Sequence, residues 1–243
     1  MMESQLVGPT ELKSALDSVM QAIREKPPSQ VAGDDRSREE MSKRAATWRE
    51  FTRDIGKRYA DCRFENYAAT CEAQSSAVRR VSGYATEWPA ECQAGHGMLL
   101  FGPSGTGKDH LAVAAAFVAV REHGATALWI DGQRLFERMR DSIDSETREQ
   151  DVIREFTTPQ ILMISDPLPQ AGSVKDFQQS ALWRIVDRRY RDMRPTWVTL
   201  NVKDEAEAQA RMGVQLVDRL TDGALCIHCN WPSYRKPAAV VKA

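Results

Sequence analysis

The chain has 243 residues, 42% of them hydrophobic and 28% charged, with a formal net charge of -1 at pH 7. That length holds one full α/β domain plus a small appendage and lets it bury a sizeable core. The near-neutral balance gives no global electrostatic footprint for nucleic acid, so a contact of that kind needs a local patch.

The longest apolar run, 111–120, falls well short of the ~18 residues needed to cross a bilayer. Residues 1–8 carry no basic-then-apolar secretion signal, so the expected location is cytoplasmic, away from membranes. In chain order, Leu12, Leu16, Val19, Met20 and Ile23 recur at helical spacing behind Thr10 and Glu11, which predicts an amphipathic helix over 10–25. The Pro- and Gly-containing segment 27–35 breaks it, and Met41, Ala45, Trp48, Phe51, Ile55 and Tyr59 form a second stripe. Two helices alone bury little surface. Residues 1–60 therefore read as a small helical N-terminal region that docks on a partner, on the rest of the chain or on a second copy.

Residues 61–96 read as a linker with a helix leading out of it. Beyond them, over 97–243, apolar strands alternate with helices, the signature of a five-stranded parallel sheet with crossover connections. Strands are expected at 98–101, 125–130, 161–164, 196–200 and 224–228. Helices are expected at 108–122, 133–141, 147–156, 175–191 and 204–220, the last broken at Gly213. In such sheets ligands bind at the carboxyl ends of the strands.

Gly102-Pro103-Ser104-Gly105-Thr106-Gly107-Lys108 follows a strand and opens a helix, the setting of a Walker A loop. Its glycines let backbone N–H groups wrap phosphates, Lys108 reaches the terminal phosphates, and the positive end of the helix favours the anion. ATP with Mg2+ is the expected ligand. The position after Gly-Lys should supply a hydroxyl for Mg2+, and here it is Asp109. The strand 161–164 should be followed by two acids, and here the residues are Ser165 and Asp166. One hydroxyl and one carboxylate carry the same charge whichever strand end holds each, so an exchanged but working site is one reading: Asp109 as metal ligand, Ser165 beside the metal's water, Asp166 orienting the nucleophile. Two others stay open: Asp166 as the metal acid with Pro167 in the catalytic place, or a site that binds nucleotide without hydrolysing it.

Five cysteines, an odd number without an export signal, argue against a disulfide framework. Cys226 and Cys229 have C-x-x-C spacing but lie in a strand-like run with no second close pair, so they read as buried or half-buried thiols rather than a zinc site.

Phe64-Glu65-Asn66-Tyr67, the loop 102–108, the acidic end of the third strand, Arg189-Tyr190 before Pro195-Thr196 and a strand ending at Asn201, Arg219-Leu220 before the last strand, and Ser233-Tyr234-Arg235 stand in one order along the chain. The set resembles the DnaC/IstB family of AAA+ ATPases over about 63–236 and is far more specific than the loop alone. The resemblance implies an AAA+ three-layer sandwich whose subunits self-assemble into a ring or spiral on ATP. It also implies that Asn201 serves as sensor I and Arg219 as the arginine finger reaching the next subunit's γ-phosphate. A turn-forming Asn and a solvated Arg are the plainer readings of those two residues. Arg235 could act as a further phosphate sensor in a chain that ends without the usual lid domain. Two helices between the second and third strands resemble the insertion that lines a single-stranded DNA path in the initiator and loader branch. Arg134, Arg138 and Arg140 are the candidates there, with Glu137 and Asp141 favouring a solvated face instead. The expected function is an ATPase that loads a replicative helicase on single-stranded DNA. The alternatives are an IstB-like helper of a transposase and a nucleotide-binding adaptor without turnover.

Overall fold

The second apolar stripe forms a helix, α1 (Asp35–Ile55), in a computed structural model that describes residues 35–144 and 149–235. The helix expected at 10–25 and residues 27–34 lie outside the described residues. α1 stops short of Tyr59 because Gly56 takes a φ of 76°, a left-handed conformation that ends a helix without a Cβ penalty. A 3-10 turn (Phe64–Asn66) follows, then α2 (Glu72–Thr86), α3 (Trp88–Ala94), β1 (Met98–Phe101), α4 (Lys108–His123), β2 (Ala127–Asp131), α5 (Gly132–Asp144) and α6 (Glu149–Thr157). The order closes with β3 (Ile161–Ser165), α7 (Asp176–Arg191), β4 (Thr196–Leu200), α8 (Glu205–Met212), α9 (Val214–Thr221) and β5 (Leu225–His228).

The strands pair in the order β2-β3-β4-β1-β5, and every pair is parallel. The chain leaves β1 for the far edge of the sheet and returns through β3 and β4 to lie beside β1, so the carboxyl ends of these three strands open on one crevice. Helices cover both faces, which is why the strands read as nearly continuous apolar runs. Alternate residues Leu99, Leu162, Ile164, Val198 and Leu200 join one core with Phe136 and Met139 of α5, Phe156 of α6, Leu182 and Ile185 of α7 and Val217 of α9. The intervening Met98, Leu100, Met163 and Trp197 are fully buried on the other side. There the Trp197 ring meets those of Trp88 and Tyr84 edge-on at 5.6 and 5.8 Å, and its Nε1–H donates to the Tyr84 hydroxyl at 3.0 Å, which satisfies the one polar atom it buries. No helix among the described residues is long and apolar enough to cross a membrane.

Within the compact unit Met41–Ala243, the part of α1 beyond residue 40 meets α4 through Arg44 and Trp48. Phe51 and Ile55 are buried, and Trp48 stacks on Phe51 while meeting Phe117 of α4 edge-on at 5.1 Å. Arg44 donates to the carbonyl oxygens of Arg121 and Glu122, main-chain acceptors that the last turn of α4 leaves without helical partners. This part of the second stripe is therefore seated in the chain's own core.

Arg189, in the last turn of α7, is 0% exposed and uses all five of its N–H groups. It donates to the carbonyl oxygens of Phe156, Pro159, Gln160 and Pro195 and to the Thr196 hydroxyl, tying α6, α7, β3 and β4 together at one end of the sheet. Burial pushes its guanidinium down to about 9. Arg189→Met is expected to cost about 3–5 kcal/mol, because four carbonyls, two of them buried and two part-buried, lose their donors. Arg188→Ala, which breaks only the exposed pair with Asp192, should cost less than about 1 kcal/mol. Urea unfolding of both variants checks the contrast.

Candidate nucleotide-binding site

The loop between β1 and α4 is shaped by contacts from residues well before and well after it in the sequence. Gly102 has a φ of 143°, and a Cβ there would fall 2.5 Å from the Cys229 carbonyl oxygen. At Gly105, φ 82°, a Cβ would run into the Ser233 hydroxyl, so only glycine fits at either place. The Thr106 carbonyl accepts from the Tyr67 hydroxyl at 3.2 Å and from Trp231 Nε1 at 2.8 Å, while Tyr234 N–H donates to Gly105 O at 2.8 Å. Thr106 itself is fully buried, its hydroxyl donating to Pro103 O. Ser104 accepts from Arg235 at 3.1 Å.

Lys108 opens α4 and is 5% exposed, its ammonium donating to Gly102 O and Pro103 O at 2.8 Å and to Asn201 Oδ1 at 2.9 Å. Burial holds that ammonium below its ordinary range, opposed by the nearby Cys229, Asp109 and Asp166. Asn201, just past β4, passes the contact on by donating from Nδ2 to Asp166 Oδ2. Asp166 follows β3 with a φ of 45°, unusual for a residue with a side chain. Burial raises its carboxyl above the ordinary range, against the hydrogen bonds from Asn201 that favour the charged form.

Asp109 and Ser165 meet. The Ser165 hydroxyl donates to Asp109 Oδ1 at 2.9 Å, and the Thr199 hydroxyl, from the next strand, donates to the same oxygen at 2.8 Å. Ser165 and Thr199 are register partners across β3 and β4, which is what brings the two hydroxyls to one carboxylate. Lys108, Asp109, Ser165, Asp166 and Asn201 thus line one cleft of about 480 Å³, together with Ser104, Gly105 and Gly107. Its far wall carries Asn66, Tyr67 and Tyr234, the two tyrosine rings edge-to-face at 5.6 Å.

Arg219 is not part of this cleft. Its Nε donates to Asp187 Oδ1 at 3.0 Å and its guanidinium lies 4.2 Å from the Trp183 ring centre. Arg138 pairs with Glu155, and Arg140 faces the Phe177 ring at 5.4 Å. Cys226 is half-buried, and burial pushes the Cys229 thiol up to about 12. Thr199 went unread in the sequence, although a hydroxyl in a fully buried strand two residues before Asn201 is a signal that something polar lies opposite.

A parallel sheet in the order β2-β3-β4-β1-β5, with a glycine-rich loop and buried lysine leading from β1 into α4, defines a P-loop NTPase domain of the AAA+ kind. The chain belongs to the family of IstB-like ATP binding proteins, whose model matches residues 38–240. Among solved structures it is similar to the DnaC helicase loader, with a TM-score of 0.64 and 20% identity over 71% of this chain and 99% of that one. DnaI is similar with a TM-score of 0.58 and 17% identity over 74% and 94%. AMPPCP-bound DnaA from Aquifex aeolicus gives a TM-score of 0.56 and 18% identity over 72% of this chain and 50% of that one. At these identities the likeness is one of fold. No curated protein matches the chain.

Proposed function

We propose that this chain binds and hydrolyses ATP with Mg2+ in the cleft beside β1 and β3, and that it uses the cycle to load a replicative helicase on single-stranded DNA. The observation that carries the ATPase is the bonded exchange of Asp109 and Ser165. Mg2+ takes hard oxygen ligands, and Asp109, Ser165 and Asp166 would hold it. Bound there, the ion would draw charge from the β- and γ-phosphates. Residues Gly102 to Gly107 would wrap the phosphates, and Lys108 would neutralise them. Asp166, held by Asn201, would orient the attacking water, and Asn201 would sense the γ-phosphate. The register with Pro167 in the catalytic place has less support, because Ser165 is tied to Asp109 while Asp166 is tied to Asn201.

Likeness to the DnaC helicase loader over 99% of that chain supports the loader role. A second reading, helper of a transposase on duplex DNA, is favoured by the family match over 38–240. The experiment is capture of each candidate partner by the full chain and by a chain lacking residues 1–40, with phosphate release measured on single-stranded and duplex DNA. The cut falls before residue 41, rather than after residue 60 where the N-terminal region is proposed to end, because Phe51 and Ile55 sit in the core. The loader reading expects helicase capture that the deletion removes while ATP binding persists. Transposase capture with duplex stimulation favours the second reading, and ATP binding without phosphate release on either DNA leaves an adaptor.

Self-assembly on ATP would place Arg219 against a neighbour's γ-phosphate, a role that its distance from the cleft of its own chain favours. Inactive Arg219→Ala and inactive Lys108→Ala subunits are then expected to restore turnover when mixed, since an intact finger can face an intact loop. Mixed oligomers without turnover would leave Arg219 as the partner of Asp187 alone.

A further inference from the structure

The carboxylate of Asp109 has two oxygens with unlike surroundings. Oδ1 accepts both hydroxyls, from Ser165 at 2.9 Å and Thr199 at 2.8 Å, and Oδ2 takes neither. Each hydroxyl has one proton, so with both protons on Asp109 the 3.4 Å approach of Thr199 Oγ1 to Ser165 Oγ sets lone pair against lone pair and holds the two donors apart. Ser165 lines the cleft, but Thr199 does not and is 2% exposed. Its hydroxyl is therefore out of reach of a ligand and acts only through Asp109.

We propose that Thr199 is the positioning residue of the metal site: from beneath, it pins Oδ1 so that Oδ2 is the oxygen presented to the cation. The inference rests on the reading of Asp109 as a ligand of Mg2+. It explains why a buried strand carries a hydroxyl at this place. A free carboxylate at the start of a helix could turn about its side-chain bonds, and two hydroxyls on one oxygen fix it, whereas Ser165 alone would leave a single pivot. The arrangement also spares Ser165: with its proton committed to Asp109, its lone pairs would be open to accept a hydrogen bond from water on the ion.

The test uses the full chain and reads ATP binding by calorimetry at a series of Mg2+ concentrations, with thermal melting alongside. Thr199→Val keeps the shape and removes the hydroxyl. It is expected to raise the Mg2+ concentration for half-maximal ATP binding about tenfold, the size of a lost hydrogen bond to a charged group. ATP affinity without metal should stay at the wild-type value, and Thr199→Ser should restore the wild-type Mg2+ dependence. An unchanged Mg2+ dependence in Thr199→Val overturns the positioning role while leaving the metal site in place. A loss of affinity that is equal with and without metal, and that Ser does not rescue, shows a packing role and overturns it as well. If wild-type ATP binding does not respond to Mg2+ at all, Asp109 is no metal ligand, and both readings fail together.

Discussion

Lys108→Ala is expected to abolish ATP binding and leave the melting temperature near that of the wild type. The ammonium makes hydrogen bonds to two loop carbonyls and Asn201, but burial has already depressed its charged form, so removing it also removes a desolvation cost. The phosphates have no such substitute in the loop, because its remaining donors, main-chain N–H groups and hydroxyls, carry no charge. Calorimetry with ATP, paired with a melting curve, measures both halves; unchanged affinity would falsify the assignment. The same burial fixes the sign of the pH dependence. Below the lowered pKa both folded and unfolded chains carry the charge and the folded one bears the cost of burying it; that cost fades as pH rises toward the ordinary value of 10.5, so this group's contribution to stability increases with pH. Affinity moves the other way. The charge that phosphates need is lost as pH rises through the lowered pKa, and wild-type ATP binding should weaken in the alkaline range before 10.5 is reached.

The exchange of Asp109 and Ser165 predicts a coupled pair. Asp109→Thr removes the carboxylate that both Ser165 and Thr199 serve, and puts one hydroxyl oxygen, itself a donor, in place of two carboxylate oxygens. Ser165→Asp sets a second carboxylate where a donor now stands at 2.9 Å, and the two negative groups repel unless a cation lies between them. Each single change should lower ATP turnover and steepen or blunt its dependence on Mg2+. The double change restores one hydroxyl and one carboxylate in the arrangement common to P-loop enzymes, and should recover turnover with a coupling energy on the order of 1–3 kcal/mol. Additive losses would show that the positions do not share a metal. A wild type at background rate beside an active double mutant would mark a nucleotide switch that has given up catalysis.

The five strands were legible because each is a short apolar run bounded by turn residues, and the expected and observed limits differ by no more than two residues at any end. The Walker A loop was legible from spacing, and the departures at Asp109 and Ser165 from the residues that should have stood there. Their mutual hydrogen bond was not, because it depends on β3 lying against the start of α4, a three-dimensional fact that no local pattern carries. Arg189 shows a different limit. In Arg188-Arg189-Tyr190-Arg191 four polar or amphipathic residues close a helix and look alike, yet the helical turn sends Arg189 inward to buried carbonyls and leaves Arg188 outside with Asp192. The stripe of α1 gave its apolar face but not its surface of contact, since Trp48 and Phe117 are far apart in sequence.

The Thr106 carbonyl is held by Tyr67 from before the loop and by Trp231 from 125 residues beyond it, with Tyr234 closing on Gly105. The cradle thus depends on residues far from the loop on both sides of it in the sequence. During synthesis the glycine-rich loop, its strand and its helix all leave the ribosome long before residues 231–235, and until those arrive the loop lacks two of the anchors that set its curvature. Nucleotide capture is accordingly expected only once residues 231–235 have emerged, well after the loop they brace.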